Sequence, residues 1–342
     1  MNILLSSVGR RPYLVRWFRE ALDANGVDGK VIVADLDELS PARSVSDEFW
    51  PAPRVGDPGY RSWLEDLVTE RSIDMGVSVN DFELSRWSLL PRGGKLDALL
   101  RLDPRVQQLV EDKYQTGDLL RDFGVRTPET WLGGEAVAVA VSGRKYVTKG
   151  RFGSSSRGLC FAEGVDLVEA VTSAAHEVTT PQGQSALLQD EVDPAQYVIV
   201  QEEVFGDEYG LDVVCDLAGN FAGVLARRKI SMRAGETDRA ESVDPGQFEE
   251  IARRIAAAIP HPGTMDVDLI VDARGDAHVF DINPRFGGGA PFSHLAGARI
   301  PHAYVAWAAG KPVKEEWLKC RPCVIGGKYV DVMAIKPNRH EN

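Results

Sequence analysis

Three carboxylates, a carboxamide and an arginine stand close together late in the chain: Asp266, Asp268, Asp281, Asn283 and Arg285, followed by Gly287, Gly288 and Gly289. Val267, Leu269 and Val271 alternate with Asp266, Asp268 and Ile270, which predicts a strand. Ala277 to Asn283 reads as a second strand, and the polar link Ala-Arg-Gly-Asp between them has a common hairpin length. Pairing Asp272 with Ala277 sets Asp268 opposite Asp281 and Asp266 opposite Asn283. Strand side chains alternate faces with period two, so all four then share one face. Opposed carboxylates repel. The cluster therefore either holds a cation, for which oxygen donors suit Mg²⁺, or is the solvated polar face of an exposed hairpin. Arg285 offers a planar fork of donors suited to phosphate. The glycines let backbone N–H groups approach an anion. Together these look like parts of a Mg²⁺–nucleotide site.

Other segments carry chemistry-bearing residues. Lys149 ends an apolar strand and leads into "GRFGSSSRG", whose small residues leave backbone donors free. No G-K-[ST] closes this loop, so it is not a Walker A sequence; it reads as a flexible hairpin tip or a phosphate cradle. "ARRKISMRAGETDRAES" concentrates Arg227, Arg228, Lys229 and Arg233, either as a solvated basic loop or as a binding segment. The loop "SSVGRRP" has one glycine where a dinucleotide fingerprint wants three, which argues against NAD. Arg10 and Arg11 read as an ordinary helix start or as holders of an anionic substrate. Asp35, Asn80, Asp81 and Glu83 read as an acidic mouth for an amine-bearing substrate or as solvated loops. His294 reads as structural.

Composition narrows the classes. The 342 residues are 44% hydrophobic with a net charge of -12, enough for a substantial core in two or three domains. The acidic balance sets aside a general nucleic-acid binder. There is no apolar run long enough to span a bilayer, and the N-terminus has no signal-peptide pattern, so a cytoplasmic protein without membrane partners is expected. Cys160, Cys215, Cys320 and Cys323 read as reduced thiols; the lone CxxC lacks a second pair for zinc.

The elements that must position these residues alternate at first. "NILLSS", "KVIVAD" and "IDMGVSV" read as strands. Pro12 opens a helix with Leu14, Phe18 and Leu22 on one face, and Tyr60, Trp63, Leu64, Leu67 and Val68 fall at helical spacing. This repetition predicts a parallel sheet with ligands at its strand carboxyl ends, near Ser6–Arg11, Asp35 and Asn80–Glu83. From Asp112 the pattern shifts to a short helix ending at Gly124, then strand, polar loop, strand, a helix over 165–175, several strands from Gln196 onward and a helix over 248–259. "TTPQGQ" at 179–184 reads as a surface link.

In this order the pieces resemble the ATP-grasp superfamily, over nearly the whole chain, and especially its carbamoyl-phosphate-synthase-like members such as the lysine ligase of pyrrolysine biosynthesis. "INPRFGGG" is the specific signal. The resemblance implies an α/β fold, α+β in its C-terminal half, with a Rossmann-like domain over 1–110, a mobile lid and central part over 111–200, and an ATP- and Mg²⁺-binding domain over 201–342. It implies that Lys113 and Lys149 are the two nucleotide lysines, and that Gly153, Ser154 and Ser155 belong to the lid loop over the phosphates. In "QEEVFGDE" the Gln201 side chain and the Glu202 and Val204 backbones would face adenine, with Glu208 on the ribose. Asp268, Asp281 and Asn283 would hold Mg²⁺, with Mn²⁺ as a substitute, and Arg285 would bind phosphate. Of the basic segment, Arg233 is the first choice for a catalytic role. Two departures stand out: Gln201 and Asp281 replace the usual Glu, and "QSALLQDEVDPAQY" before the adenine hinge is long.

The chemistry implied is ADP-forming ligation of a small-molecule carboxylate and an amine through an acyl phosphate, in a monomer or a homodimer. A phosphoryl transferase and a non-catalytic nucleotide-binding protein are the alternatives.

Overall fold

A computed structural model describes residues 1–153, 158–179, 193–233 and 235–335. Its first sheet is parallel, in the order β3-β2-β1-β4, from β1 (Asn2–Ser6), β2 (Lys30–Asp35), β3 (Glu48–Pro51) and β4 (Ile73–Ser78). β1 and β2 are near-continuous apolar runs because helices cover both faces. Helix α1 (Pro12–Asn25) starts on Pro12 and ends where Gly26 turns left-handed at φ 57°. Its Leu14, Phe18 and Leu22 are buried, the face expected from spacing. α2 (Tyr60–Glu70) buries Tyr60, Leu64, Leu67 and Val68. The short edge strand β3, "EFWP", carries no alternation and was not expected.

α3 (Asp81–Ser88) is capped by Asn80, whose Oδ1 accepts from the N–H groups of Phe82 and Glu83. Then come α4 (Pro104–Glu111) and α5 (Lys113–Asp122). The chain turns at Gly124, φ 70°.

An antiparallel sheet follows, in the order β5-β8-β6-β7, from β5 (Thr130–Leu132), β6 (Lys145–Gly150), β7 (Cys160–Glu163) and β8 (Val198–Glu202). Beside it lie the short α6 (Ala136–Val139) and α7 (Leu167–Thr179). The helix expected over 165–175 is thus displaced toward the C-terminus. Apart from Thr179, the last residue of α7, the surface link expected at 179–184 lies outside the described residues.

The largest sheet runs β13-β12-β9-β10-β11-β14, from β9 (Gly206–Cys215), β10 (Phe221–Arg233), β11 (Glu236–Val243), β12 (Gly263–Asp272), β13 (Ala277–Asn283) and β14 (Ile325–Gly327). α8 (Glu249–Ala258) packs against it through Ala252, Ile255 and Ala256. α9 (Ala290–Leu295) and α10 (Ile300–Ala308) follow β13.

One apolar core joins the first and last layers. Phe18 of α1 meets Phe286 and Tyr304 edge-on, at centroid distances of 6.2 and 6.0 Å. This packing holds the carboxyl ends of β1 and β4 against the segment that follows β13. Among the described residues no helix is long and apolar enough to cross a membrane.

Candidate active site

The β12–β13 register places Asp266 opposite Asn283 and Asp268 opposite Asp281, as expected. The route to it differs. Val271, not Asp272, pairs with Ala277, and Asp272 instead closes a wider turn in which its N–H meets the Asp276 carbonyl at 2.9 Å. The register then shifts between Asp268 and Leu269, where Phe280 is the extra residue. The two one-residue offsets cancel. The bulge also has a use: the Phe280 carbonyl accepts from Lys149 Nζ at 2.8 Å.

Two lysines converge on this strand from distant elements. Lys113 heads α5, capped by Asp112, and its Nζ lies 3.3 Å from Asp281 Oδ1 and donates to the Gly153 carbonyl at 2.8 Å. Arg151 grips the Asp112 carboxylate with two bonds, 2.8 and 2.6 Å, tying the root of the glycine-rich loop to the start of α5. Lys149 is the next-to-last residue of β6, and burial pushes its pKa down to about 8 against the pull of Asp281. Burial raises the Asp281 pKa, but Lys113 and Lys149 outweigh it, and the net shift is downward. Ser154 and Ser155 lie outside the described residues.

The face of β9, β10 and β12 beside these lysines is charged with period two. Glu208 and Asp212, Arg227 and Lys229, and Asp266 and Asp268 all fall on it, around Gly210. Each carboxylate has a basic partner. Arg227 bridges Asp212 at 2.9 Å and Asp266 at 2.5 Å. Lys229 bridges Asp268 at 2.8 Å and Glu208 at 2.6 Å. Burial lifts the Asp268 pKa to about 7 in spite of Lys229.

Lys229 therefore reaches the acidic cluster, while Arg233 lies exposed at the far end of β10. The sequence held a signal for this: Arg227 and Lys229 are two apart in a strand, and Glu208, Gly210 and Asp212 repeat the same period in its neighbour.

Two of the three glycines serve the protein's own side chains. A Cβ on Gly287 would overlap the Asp266 carboxylate, and one on Gly289 would overlap the Arg227 guanidinium. A Cβ on Gly288 would instead have space, 3.5 Å from Glu236 and Lys328.

The remaining candidates divide. Gln201 lies at the end of β8, its Nε2 on Thr130 Oγ1 at 3.0 Å, beside a cavity lined by Lys113, Thr116, Gln201, Phe280 and Asp281. The Glu202 N–H is bonded to the Glu129 carbonyl at 3.0 Å and its carboxylate to Arg144 at 2.8 Å, so its carbonyl is the backbone group left for a ligand. Val204 is half-buried in the link to β9. The acidic mouth is internally paired. Asp35 accepts from the Gly9 N–H at 2.8 Å. Glu83 accepts from Ser6, Tyr60 and Ser78, and Asp81 is paired with Arg285. Of Arg10 and Arg11, Arg10 is exposed and Arg11 Nη1 donates to the Phe286 carbonyl at 3.4 Å. His294 stacks on Trp17 at 3.9 Å; burial pushes its pKa down to about 3, so it is neutral near pH 7. All four cysteines are free.

A divalent cation fits the donor set. Asp268, Asp281 and Asn283 offer oxygen atoms from paired strands, and the buried Asp281 Oδ1, 3.3 Å from Lys113 Nζ, makes no well-formed hydrogen bond. Asp266 is committed to Arg227. Among the described residues no three His, Cys, Asp or Glu side chains form a metal cluster; the candidate set relies on the Asn283 carboxamide as its third member.

Comparison with known proteins agrees with the fold. Residues 3–90 match the model of the PylC-like N-terminal domain, and residues 195–324 match that of ATP-grasp in the biosynthetic pathway with Ter operon. No curated protein matches the chain in sequence. The biotin carboxylase domain of the Hydrogenobacter thermophilus 2-oxoglutarate carboxylase, solved with MgADP, ADP and bicarbonate, is similar at 16% identity and TM-score 0.70, over 92% of this chain and 70% of that one. Staphylococcus aureus N5-carboxyaminoimidazole synthetase is similar at 17% identity and TM-score 0.68, over 92% and 78%. The Bacillus licheniformis L-amino acid ligase is similar at 16% identity and TM-score 0.67, over 95% and 78%.

Proposed function

We propose that this chain, an ATP-grasp protein with a PylC-like N-terminal domain, is an ADP-forming ligase that joins a small-molecule carboxylate to an amine. The observation carrying this reading is the convergence of Lys113 and Lys149 on Asp281 and the Phe280 carbonyl, from elements far apart in sequence. Two amines and a partly orphaned carboxylate around one strand suit a polyphosphate with its divalent cation. A similar protein has been solved with MgADP, which supports ATP and Mg²⁺ as its cofactors.

The chemistry follows from charge. The substrate carboxylate oxygen attacks the γ-phosphorus, the bond to the β-bridging oxygen breaks, and ADP leaves. Such transfer needs positioning and neutralisation more than covalent help. Mg²⁺ held through Asp268, Asp281 and Asn283 supplies Lewis-acid neutralisation of phosphate oxygens. Lys113 and Lys149 place fixed positive charge beside the same strand. Arg285 stands two residues beyond Asn283 and donates to its Oδ1 at 3.2 Å, which orients that carboxamide. The amine then attacks the acyl carbon, the C–O bond to phosphate breaks, and the amine proton passes to solvent. The cavity beside Gln201 takes the adenine in this reading, with the Glu202 carbonyl as its acceptor.

The test is a screen of amino acids, small carboxylates and sugar acids with hydroxylamine as the amine. The ligase reading expects ADP and phosphate in equal amounts together with a hydroxamate. AMP and pyrophosphate, or a stable phosphorylated product without free phosphate, would overturn it.

A further inference from the structure

The geometry points to Asp81 as a positioning residue that sets the plane of Arg285 from the N-terminal domain. Arg285 Nε donates to Asp81 Oδ1 at 2.7 Å and Nη2 to Oδ2 at 3.0 Å, a two-bond fork between residues 204 apart in the chain. Nη2 also donates to Asn283 Oδ1 at 3.2 Å, and Nη1 to the Phe286 carbonyl at 3.3 Å. These four bonds leave a single N–H, on Nη1, for an incoming oxygen. The Arg285 side chain is only 11% exposed, so without this partner its buried charge would be costly.

Asp81 is itself firmly mounted. It is the first residue of α3, directly after the Asn80 cap. Two residues on, the buried Glu83 accepts from Ser6 Oγ at 2.7 Å, Tyr60 OH at 2.5 Å and Ser78 Oγ at 2.5 Å, which fastens α3 to the carboxyl ends of β1 and β4. The shared core of Phe18, Phe286 and Tyr304 fixes those strand ends relative to Arg285. The parallel sheet thereby contributes to phosphate recognition through Arg285, without a residue of its own on the phosphate.

This inference rests on the reading of Arg285 as a phosphate-binding residue, and the test separates the two. The probes are Mg²⁺·ADP and Mg²⁺·β,γ-imido-ATP, with affinities measured by calorimetry. Wild type is expected to prefer the triphosphate analogue. Asp81→Asn is expected to shrink that preference about tenfold. Arg285→Met removes the preference, and adding Asp81→Asn to it causes no further loss, because the pair acts as one unit. The double variant carries neither charge, so its folding does not hinge on an unpaired buried ion. An unchanged preference in Asp81→Asn, a stronger one, or additive losses in the double variant would overturn the positioning role alone. A wild type that binds both probes equally would overturn the reading of Arg285 and the inference with it.

Discussion

Gly289 lies so close against the Arg227 guanidinium that a Cβ on Gly289 would overlap it. Arg227 cannot retreat, because it is held between Asp212 and Asp266 and its far side meets Gly210, where a Cβ would stand 2.9 Å from Nε. The triple glycine is thus partly a housing for a buried ion triad. Gly289→Ala should therefore destabilise the fold by about 3–5 kcal/mol, the range for breaking a buried pair. Gly288→Ala, whose Cβ meets Glu236 and Lys328 only at ordinary contact distance, should stay within about 0.5 kcal/mol. Urea unfolding of the two variants decides; equal stabilities would remove the housing role.

Lys229 and Arg233 sit on one strand with opposite surroundings. Lys229 Nζ joins Glu208 to Asp268, whereas Arg233 is exposed. Lys229→Met is expected to lower kcat for ADP release about 100-fold, the scale for removing one preorganised charge at a phosphoryl site. Arg233→Met is expected to change it about twofold. The opposite ranking would return the catalytic role to Arg233.

If Lys149 contacts the nucleotide as proposed, binding should depend on pH. Burial lowers its pKa to about 8, so above that value the free protein carries a neutral amine there. A bound phosphate favours the charged form, so binding takes up a proton at high pH. Affinity for Mg²⁺·ADP should be flat up to about pH 7, halve near pH 8 and fall by up to about tenfold per pH unit above it. Lys149→Met should bind more weakly and lose that upper limb. A wild-type limb that survives in the variant assigns the titration to another group.

Glu83 does the reverse for stability. Burial raises its carboxyl pKa, and the bonds from Ser78, Tyr60 and Ser6 only partly offset this. A carboxyl that holds its proton longer when folded stabilises fully below the ordinary value near 4.5, and that stability is lost as pH rises through the folded value. Each unit of such a shift amounts to about 1.4 kcal/mol. Glu83→Gln should gain thermal stability relative to wild type as pH rises from 4.5, read as the difference between the two Tm curves. A constant difference would mean that Glu83 is ionised throughout.

The alternation around Val267 and Leu269, the proline start of α1 and the strand–helix order of the first eighty or so residues were legible because period and capping are local properties of the chain. They sufficed for the parallel sheet and for the shared face of Asp266, Asp268, Asp281 and Asn283, whereas the ATP-grasp resemblance rested on motifs, "INPRFGGG" above all. Partners were not legible in the same way. Counting from the turn reached Asp268 opposite Asp281 only because the wider loop at Asp272 and the extra residue at Phe280 offset one another. Which base meets which carboxylate depends on strands brought together across the sheet: Arg227 finds Asp266 39 residues away, and Arg285 finds Asp81 204 residues away. Charge pairing acts over a few ångströms in space, so only the packing of β9, β10 and β12, and of α1 against the residues after β13, could decide it. The same packing decided that Gly287 and Gly289 make room for buried side chains, and that Lys229 rather than Arg233 faces the acidic cluster.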